Sequence, residues 1–600
     1  MRFFSTIIAS TLGTLIALAI VILFLFLFIF ALAASSDTVP QVKDGALLVA
    51  EISGNIPEQV SGDPLTQIIA DEPSVDLRTI KRAIEKAGAD SRIAGLWIKV
   101  GASGISWPTL YEIRTSIETF KETGKPVFAS SQDFVDTESE YYLMSVADSV
   151  YAAPGGIFEF NGFAIVSTFY HGLLEKLEIE PQVVRAGEYK SAAEPFIRKG
   201  FSAENREQLQ SLIDVQESVF FEAIAGDRGV SIEDLSRLAS EDAILTADDA
   251  VEAGLVTALL YVDQVADRWK TLLAIEEDAD LETISLERYA RVPASSAGLR
   301  EGTEGEIAIV YAVGTIVGGE SEMDLPFTSG LLGTSTFAKA IREARESESV
   351  KAVVLRVNSP GGFAPAADAM LREIELTAAR KPLVVSMGDM AASGGYWISM
   401  AADTIVATPL TITGSIGVFS LFFNAGDFFA DKLGITFDHV STSPYADMFS
   451  GVQPLSAGER ALLEELTDET YTKFLELVSD GRGLSLEAVR EVAEGRVWLG
   501  MDAMSRGLVD VTGDLDTAVA IAAELAGLEP ESYRIRALPR PRTFLQRLTG
   551  SMEARLADVR EAATLSTAER LLLRQVRAIK AAFSDYGTVQ ARLPFDIEIR

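Results

Sequence analysis

From about residue 46 onward the chain alternates between two patterns. Short apolar runs rich in β-branched residues, such as Ala46-Leu47-Leu48-Val49 and Ala352-Val353-Val354-Leu355, give way to stretches with apolar positions at helical spacing, such as residues 109–123 and 364–380. The first kind predicts strands buried on both faces and the second amphipathic helices, so the grammar is βα and the class is α/β with parallel sheet. Later, residues 203–225 and 456–479 predict long helices. Each begins beside a serine suited to cap it and carries acid in its first turn.

The pattern occurs twice. Ala46-Leu47-Leu48-Val49 with Ser53-Gly54-Asn55-Ile56 returns as Ile307-Ala308-Ile309-Val310 with Val313-Gly314-Thr315-Ile316. Ala94 to Val100 returns as Ala352 to Val357, and Lys125-Pro126-Val127-Phe128 as Lys381-Pro382-Leu383-Val384. Ala147-Asp148 to Pro154 returns as Ala402-Asp403 to Pro409, and Gly254-Leu255-Val256 as Gly507-Leu508-Val509. Five blocks in one order, each displaced by about 255 positions, mark an internal duplication. It divides the chain into an N-terminal segment 1–34, a linker 35–45, a first copy 46–275, a connector 276–305, a second copy 306–530 and a basic helical tail 531–600. Within the tail, residues 567–583 predict an amphipathic helix.

Residues 3–34 depart from the βα pattern. They are almost wholly apolar and uncharged, about twice the length of a signal-peptide core, and predict one uncleaved transmembrane helix. Arg2 before the run and Asp37 after it set the N-terminus in the cytoplasm and the body on the far side.

Composition narrows the chemistry. A net charge of −35 excludes nucleic acid as a partner and suits solubility. With no cysteine there is no disulfide, thiol nucleophile or thiolate metal site. Only two histidines occur, His171 and His439, so a histidine-rich metal site is excluded, and His439 reads as an ordinary residue of an alternating strand. The sequence predicts neither metal nor cofactor.

Comparing the two copies locates a candidate site. In Ile412-Thr413-Gly414-Ser415-Ile416-Gly417-Val418 a serine sits between glycines, which let the backbone lift one hydroxyl into a cleft. Counting from the shared proline, Ser415 corresponds to Phe160. Conversely, aligning Tyr189 with Tyr445 sets Lys190 of the first copy against Ala446 of the second. One copy has the serine without the lysine, the other the lysine without the serine, and together they make a split dyad. A serine hydroxyl needs a base, and a lysine serves only when neutral, which burial favours. Ala192, Ala193, Pro195 and Phe196 supply apolar surroundings, which Glu188 and Glu194 oppose if turned inward. Asn358-Ser359-Pro360-Gly361-Gly362, between a strand and a helix, offers the amides of Gly361 and Gly362 to an oxyanion, with that of Ile416 as a third donor. Ser393, in Ala391-Ala392-Ser393-Gly394-Gly395, is read as shaping the site.

These motifs, with Tyr189-Lys190-Ser191-Ala192, resemble the signal peptide peptidase A (protease IV) family, peptidase family S49, in its long, duplicated, membrane-anchored bacterial form. The resemblance runs from the N-terminal segment to about Gly527. It implies a ClpP/crotonase-like α/β fold in each copy, with Ser415 as nucleophile and Lys190 as general base. It further implies a membrane-bound serine endopeptidase that degrades cleaved signal peptides and other apolar peptides. The implied location is the periplasmic face of the bacterial inner membrane, and the implied assembly a homotetramer held to the bilayer through residues 3–34. The sequence alone leaves two other readings, a crotonase-type CoA enzyme and a non-catalytic membrane scaffold.

Overall fold

A computed structural model describes residues 39–60, 75–131, 133–300, 302–321, 330–540 and 590–592, with four helical positions between 13 and 20. The predicted transmembrane run and the predicted helix 567–583 therefore lie, almost wholly and wholly, outside the described residues. Among the described residues no helix is long and apolar enough to cross a membrane.

Each copy forms its own sheet. In the first, strands Ala46–Gly54, Ile93–Ser103, Val127–Ser131, Ser149–Ala152 and Ala258–Leu259 lie side by side and parallel. Thr283–Ser285, from the predicted connector, adds to the opposite edge. In the second, Gly305–Val313, Val350–Ser359, Leu383–Ala392 and Thr404–Ala407 repeat the parallel order. Their central residues, including Ile309, Val354 and Val384, are fully buried, as strands covered on both faces must be.

The helices follow the sequence signals closely. Trp107–Lys121 begins two residues before the predicted start because Pro108, lacking an N–H, is accommodated in the first turn. The paired long helices are Ala203–Arg228 and Ala457–Arg482. Ser202 Oγ accepts the Asn205 N–H at 3.1 Å, and Ser456 Oγ accepts that of Glu459 at 3.3 Å. One part of the reading is corrected: Tyr533–Leu538, assigned to the helical tail, is an edge strand parallel to Gly305–Val313. Its alternation of Tyr, Ile and Ala with Arg534 and Arg536 is a period-two pattern, which the arginine content masks.

Among the contacts that join the copies, two reach furthest. Glu180–Ala186 of the first runs antiparallel to Val418–Asn424 of the second, from Val418 opposite Ala186 to Asn424 opposite Glu180. A buried ionic chain also crosses between them. Arg356 lies 2.9 Å from Glu58 and 2.7 Å from Glu112, and Lys81 lies 3.0 Å from Glu112 and 2.5 Å from Asp514. Burial pushes against the charge on Lys81 and Arg356, but the carboxylates outweigh it and hold both cations above their usual range. For Glu112 burial is likewise outweighed, by Arg356 and Lys81, and its carboxyl is held low.

Candidate active site

The strand Ile412–Gly414 lies parallel to Leu383–Ala392 and antiparallel to Val497–Leu499, and Ser415 follows its last residue. Ser415 adopts φ 49°, a left-handed conformation unusual for a residue with a Cβ. Its N–H donates to the Arg496 carbonyl at 2.7 Å, which holds the turn. Such strain costs on the order of 1–3 kcal/mol and persists only where neighbours enforce it.

Lys190 arrives from the other copy. After the strand Glu180–Ala186 has paired with Val418–Asn424, the chain turns at Gly187, and the Tyr189 N–H donates to the Glu494 carbonyl at 2.8 Å. Gly495 allows this approach: a Cβ there would stand 2.6 Å from Lys190 Cβ, and its φ is +76°. Gln208, buried on the helix Ala203–Arg228, gives its side-chain amide to the Tyr189 carbonyl at 3.2 Å and to Ser191 Oγ at 3.1 Å. Its Oε1 accepts the Val497 N–H at 3.1 Å. The lysine-bearing loop is thus pinned to the strand next to the serine.

The outcome is a meeting of residues 225 positions apart. Lys190 Nζ lies 2.9 Å from Ser415 Oγ, 2.9 Å from the Ser415 carbonyl and 2.7 Å from Ser393 Oγ. Lys190, Ser393 and Ser415 are all fully buried. Burial pushes the Lys190 amine well below its usual value, and among the described residues no charged neighbour opposes it. The two glutamates named as possible opponents are accounted for. Glu188 is exposed, and Glu194 accepts from the Ser202 N–H and from Asn205 Nδ2. Ser393 also has a left-handed φ, 56°, and its N–H donates to the Gly414 carbonyl at 2.8 Å.

The glycine loop lies in the sheet that also holds Val418–Asn424. Gly361–Phe363 is a short strand in which Gly362 pairs with Ile316 and the Gly361 N–H donates to Ser359 Oγ at 3.2 Å. Ile416 is fully buried, its carbonyl accepting the Gly495 N–H at 2.8 Å. Between Gly361–Phe363 and Val418–Asn424 runs the strand Gln590–Arg592, antiparallel to the first and paired with Phe419 of the second through Gln590.

The corresponding place in the first copy is filled. Phe160, the counterpart of Ser415, is buried among the rings of Tyr141, Phe220 and Phe221. Neither histidine belongs to the site: His171 pairs with Glu175, and His439 is exposed beside Asp447 and Gln453.

The sequence profile of Peptidase family S49 matches residues 119–276 and 375–529, once in each copy. The chain belongs to peptidase family S49. It is a serine protease, and both S49 segments are α/β units of one duplicated fold. The serine protease SPPA, chloroplastic, of Arabidopsis thaliana is 34% identical over 507 residues, covering 84% of this chain and 73% of that protein. Protease 4 of Salmonella typhi is 37% identical over 463 residues, covering 75% of this chain and 72% of that one. Among solved structures, ClpP1 from Listeria monocytogenes matches over 35% of this chain and 94% of its own at 14% identity, with a TM-score of 0.23.

Sequence reasoning overlooked Gln208 and Gly495. Gln208 sits in a helix whose polar positions look solvated, and Gly495 reads as a plain turn between a helix and a strand. Only the neighbouring copy reveals what each one holds.

Proposed function

We propose that this S49 protease works through a Ser415/Lys190 dyad and degrades cleaved signal peptides and similar apolar peptides. The observation that carries the reading is the buried Lys190 amine, depressed by desolvation, at 2.9 Å from Ser415 Oγ. Neutral Lys190 takes the Ser415 proton as Oγ bonds to the scissile carbonyl carbon. The resulting ammonium then protonates the amine nitrogen as the C–N bond breaks, leaving an acyl-enzyme. Lys190, neutral again, takes a proton from water as it attacks the ester, and returns that proton to Ser415 Oγ as the acyl C–O bond breaks and the acid product leaves. Amides of Gly362 and Ile416 are the donors assigned to the oxyanion, that of Gly361 being given to Ser359 Oγ, and Ser393 holds the lysine. The strand Gln590–Arg592, seated between Gly361–Phe363 and Val418–Asn424, supports an extended peptide as the bound form.

The remaining features rest on sequence and family. Copies 46–275 and 306–530, each of ClpP/crotonase-like form, work as one unit behind a transmembrane anchor at residues 3–34. The body faces the periplasm from the bacterial inner membrane, and the protein is a homo-oligomer, a tetramer by family likeness. The test is cleavage of a Leu-rich peptide by the full-length protein. Ser415→Ala and Lys190→Ala are expected to lose activity while keeping the wild-type circular dichroism. Activity retained in either variant overturns the dyad.

A further inference from the structure

One residue touches both halves of the dyad. The carbonyl of Arg496 accepts the Ser415 N–H at 2.7 Å, which fixes the turn that presents the hydroxyl. Its side chain reaches the lysine loop. The guanidinium carbon lies 4.9 Å from the ring centre of Tyr189, the residue before Lys190, and 4.4 Å from that of Trp498 on the strand Val497–Leu499. Arg496 Nη1 donates to Glu207 Oε1 at 2.8 Å, and the Tyr189 hydroxyl donates to Glu207 Oε2 at 3.1 Å. Tyr189, Glu207 and Arg496 thus close a ring of three contacts across the joint between the copies. A planar cation stacked on aromatic rings, with its fork on a carboxylate, is an arrangement that arginine makes and lysine does not.

The duplication separates what the fold needs here from what the dyad needs. Ile244–Thr246 pairs with Ile157–Glu159 in the first copy as Val497–Leu499 pairs with Ile412–Gly414 in the second. Ala243 therefore corresponds to Arg496, and its carbonyl accepts the Phe160 N–H at 2.8 Å. The backbone bond occurs in both copies and belongs to the fold. The guanidinium occurs only beside the serine. Glu207 follows the same rule: counted from the capping serines Ser202 and Ser456, its counterpart is Ala461. The copy without the nucleophile has a methyl group at 243, and the copy without the base has one at 461.

Stability does not account for the contact. The Arg496 side chain is 19% exposed and that of Glu207 57% exposed, and so exposed a pair is worth about 0–1 kcal/mol. What the contact supplies is direction. We propose that Arg496 is a positioning residue of the protease reaction: its guanidinium, stacked on Tyr189 and held by Glu207, locks the lysine loop to the serine turn, keeping the Lys190 amine aimed at Ser415 Oγ and closed to water. This inference rests on the Ser415/Lys190 reading above. Trp498 also carries Arg506, 3.7 Å from its ring centre and paired with Asp502 at 3.2 Å. Among the described residues Arg506 shares the tryptophan with Arg496 but has no contact with Tyr189, which makes it the control.

The test compares full-length Arg496→Ala, Arg496→Lys, Glu207→Ala and Arg506→Ala with the wild type in detergent. Three quantities are measured: circular dichroism, kcat and KM on the Leu-rich peptide, and the rate at which acetic anhydride acetylates Lys190. That rate is mapped by mass spectrometry against the exposed Lys199 of the same chain. Arg496→Ala is expected to keep the wild-type spectrum, to lose roughly 10- to 100-fold in kcat with KM little changed, and to acetylate at Lys190 at least roughly 10-fold faster. Arg496→Lys and Glu207→Ala move both readouts the same way by less, and they decide the question if Arg496→Ala does not fold. Arg506→Ala moves neither. Wild-type kcat or undiminished protection of Lys190 in the folded Arg496 variants overturns the proposal. An equal loss in Arg506→Ala overturns it too, since the arginine then acts only through packing on Trp498. Activity retained in Lys190→Ala overturns the dyad and this role with it, and is told apart because acetylation of Lys190 in Arg496→Ala is read independently of turnover.

Discussion

Lys190 Nζ stands 2.9 Å from Ser415 Oγ, although the two residues belong to different copies of a duplicated fold. Neither copy could assemble this pair alone. The serine turn is set by strands of the second copy, and the lysine reaches it because a strand of the first pairs with Val418–Asn424, the strand that follows the serine. Duplication allowed each half to lose what the other supplies.

The first prediction concerns pH. Activity requires neutral Lys190, so kcat/KM is expected to rise with pH along an acid limb governed by one group, with its midpoint well below the ordinary lysine value of about 10.4. Stability follows the same linkage. Because the folded-state pKa is depressed, the folded protein binds fewer protons than the unfolded chain between the two pKa values. The group's penalty is therefore full below the folded value and is relieved as pH rises toward about 10.4. Relative to Lys190→Met, the wild type should gain in melting temperature between pH 7 and 10. A constant difference between them contradicts the buried neutral amine.

Ser393 is a positioning residue in this account. Ser393→Ala is expected to lower kcat roughly 10- to 100-fold with KM little changed. It should also move the acid limb to lower pH, because the Lys190 ammonium loses an acceptor now 2.7 Å away. A purely structural role would leave the limb in place.

Gly495 tests the seating of the lysine. In Gly495→Ala the new methyl meets Lys190 Cβ at 2.6 Å in a backbone conformation that favours glycine. The expected cost is about 1–3 kcal/mol of stability. The expected loss in kcat is roughly 100-fold, since displacement of a reacting group by about 1 Å has that effect. Wild-type kinetics in this variant would show that the loop does not set the lysine.

The ionic chain between the copies gives a prediction about stability. Removing Glu112 leaves Arg356 with Glu58 and Lys81 with Asp514 but takes away the carboxylate that the two buried cations share, so Glu112→Ala should cost about 3 kcal/mol in chemical denaturation. Glu51→Ala, which removes the exposed partner of Lys99 at the corresponding place in the first copy, should cost less than about 1 kcal/mol. Equal costs would contradict a link formed by burial.

Much of this was legible in the residues. The alternation of short β-branched runs with helical spacing gave the α/β class, and the repeated blocks gave two copies. The trade of Ser415 for Phe160 and of Lys190 for Ala446 pointed to one shared site. The means of sharing was not legible. Nothing in Glu180 to Ala186 says that this strand pairs with a sheet strand more than 200 residues later, because strand pairing depends on tertiary context. Arg356 and Glu112 likewise read as ordinary charges in amphipathic patterns, since a buried ion pair leaves no local signature when its partners are distant in sequence. Tyr533–Leu538 was hidden by its own arginines.

The most direct measurement of the shared dyad is covalent labelling by a fluorophosphonate, followed by mass spectrometry of the modified peptide, in the wild type and in Lys190→Ala. The account predicts a single adduct on Ser415, forming at least roughly 100-fold more slowly without the lysine. Labelling of another serine, or an undiminished rate at Ser415 in the variant, would contradict it.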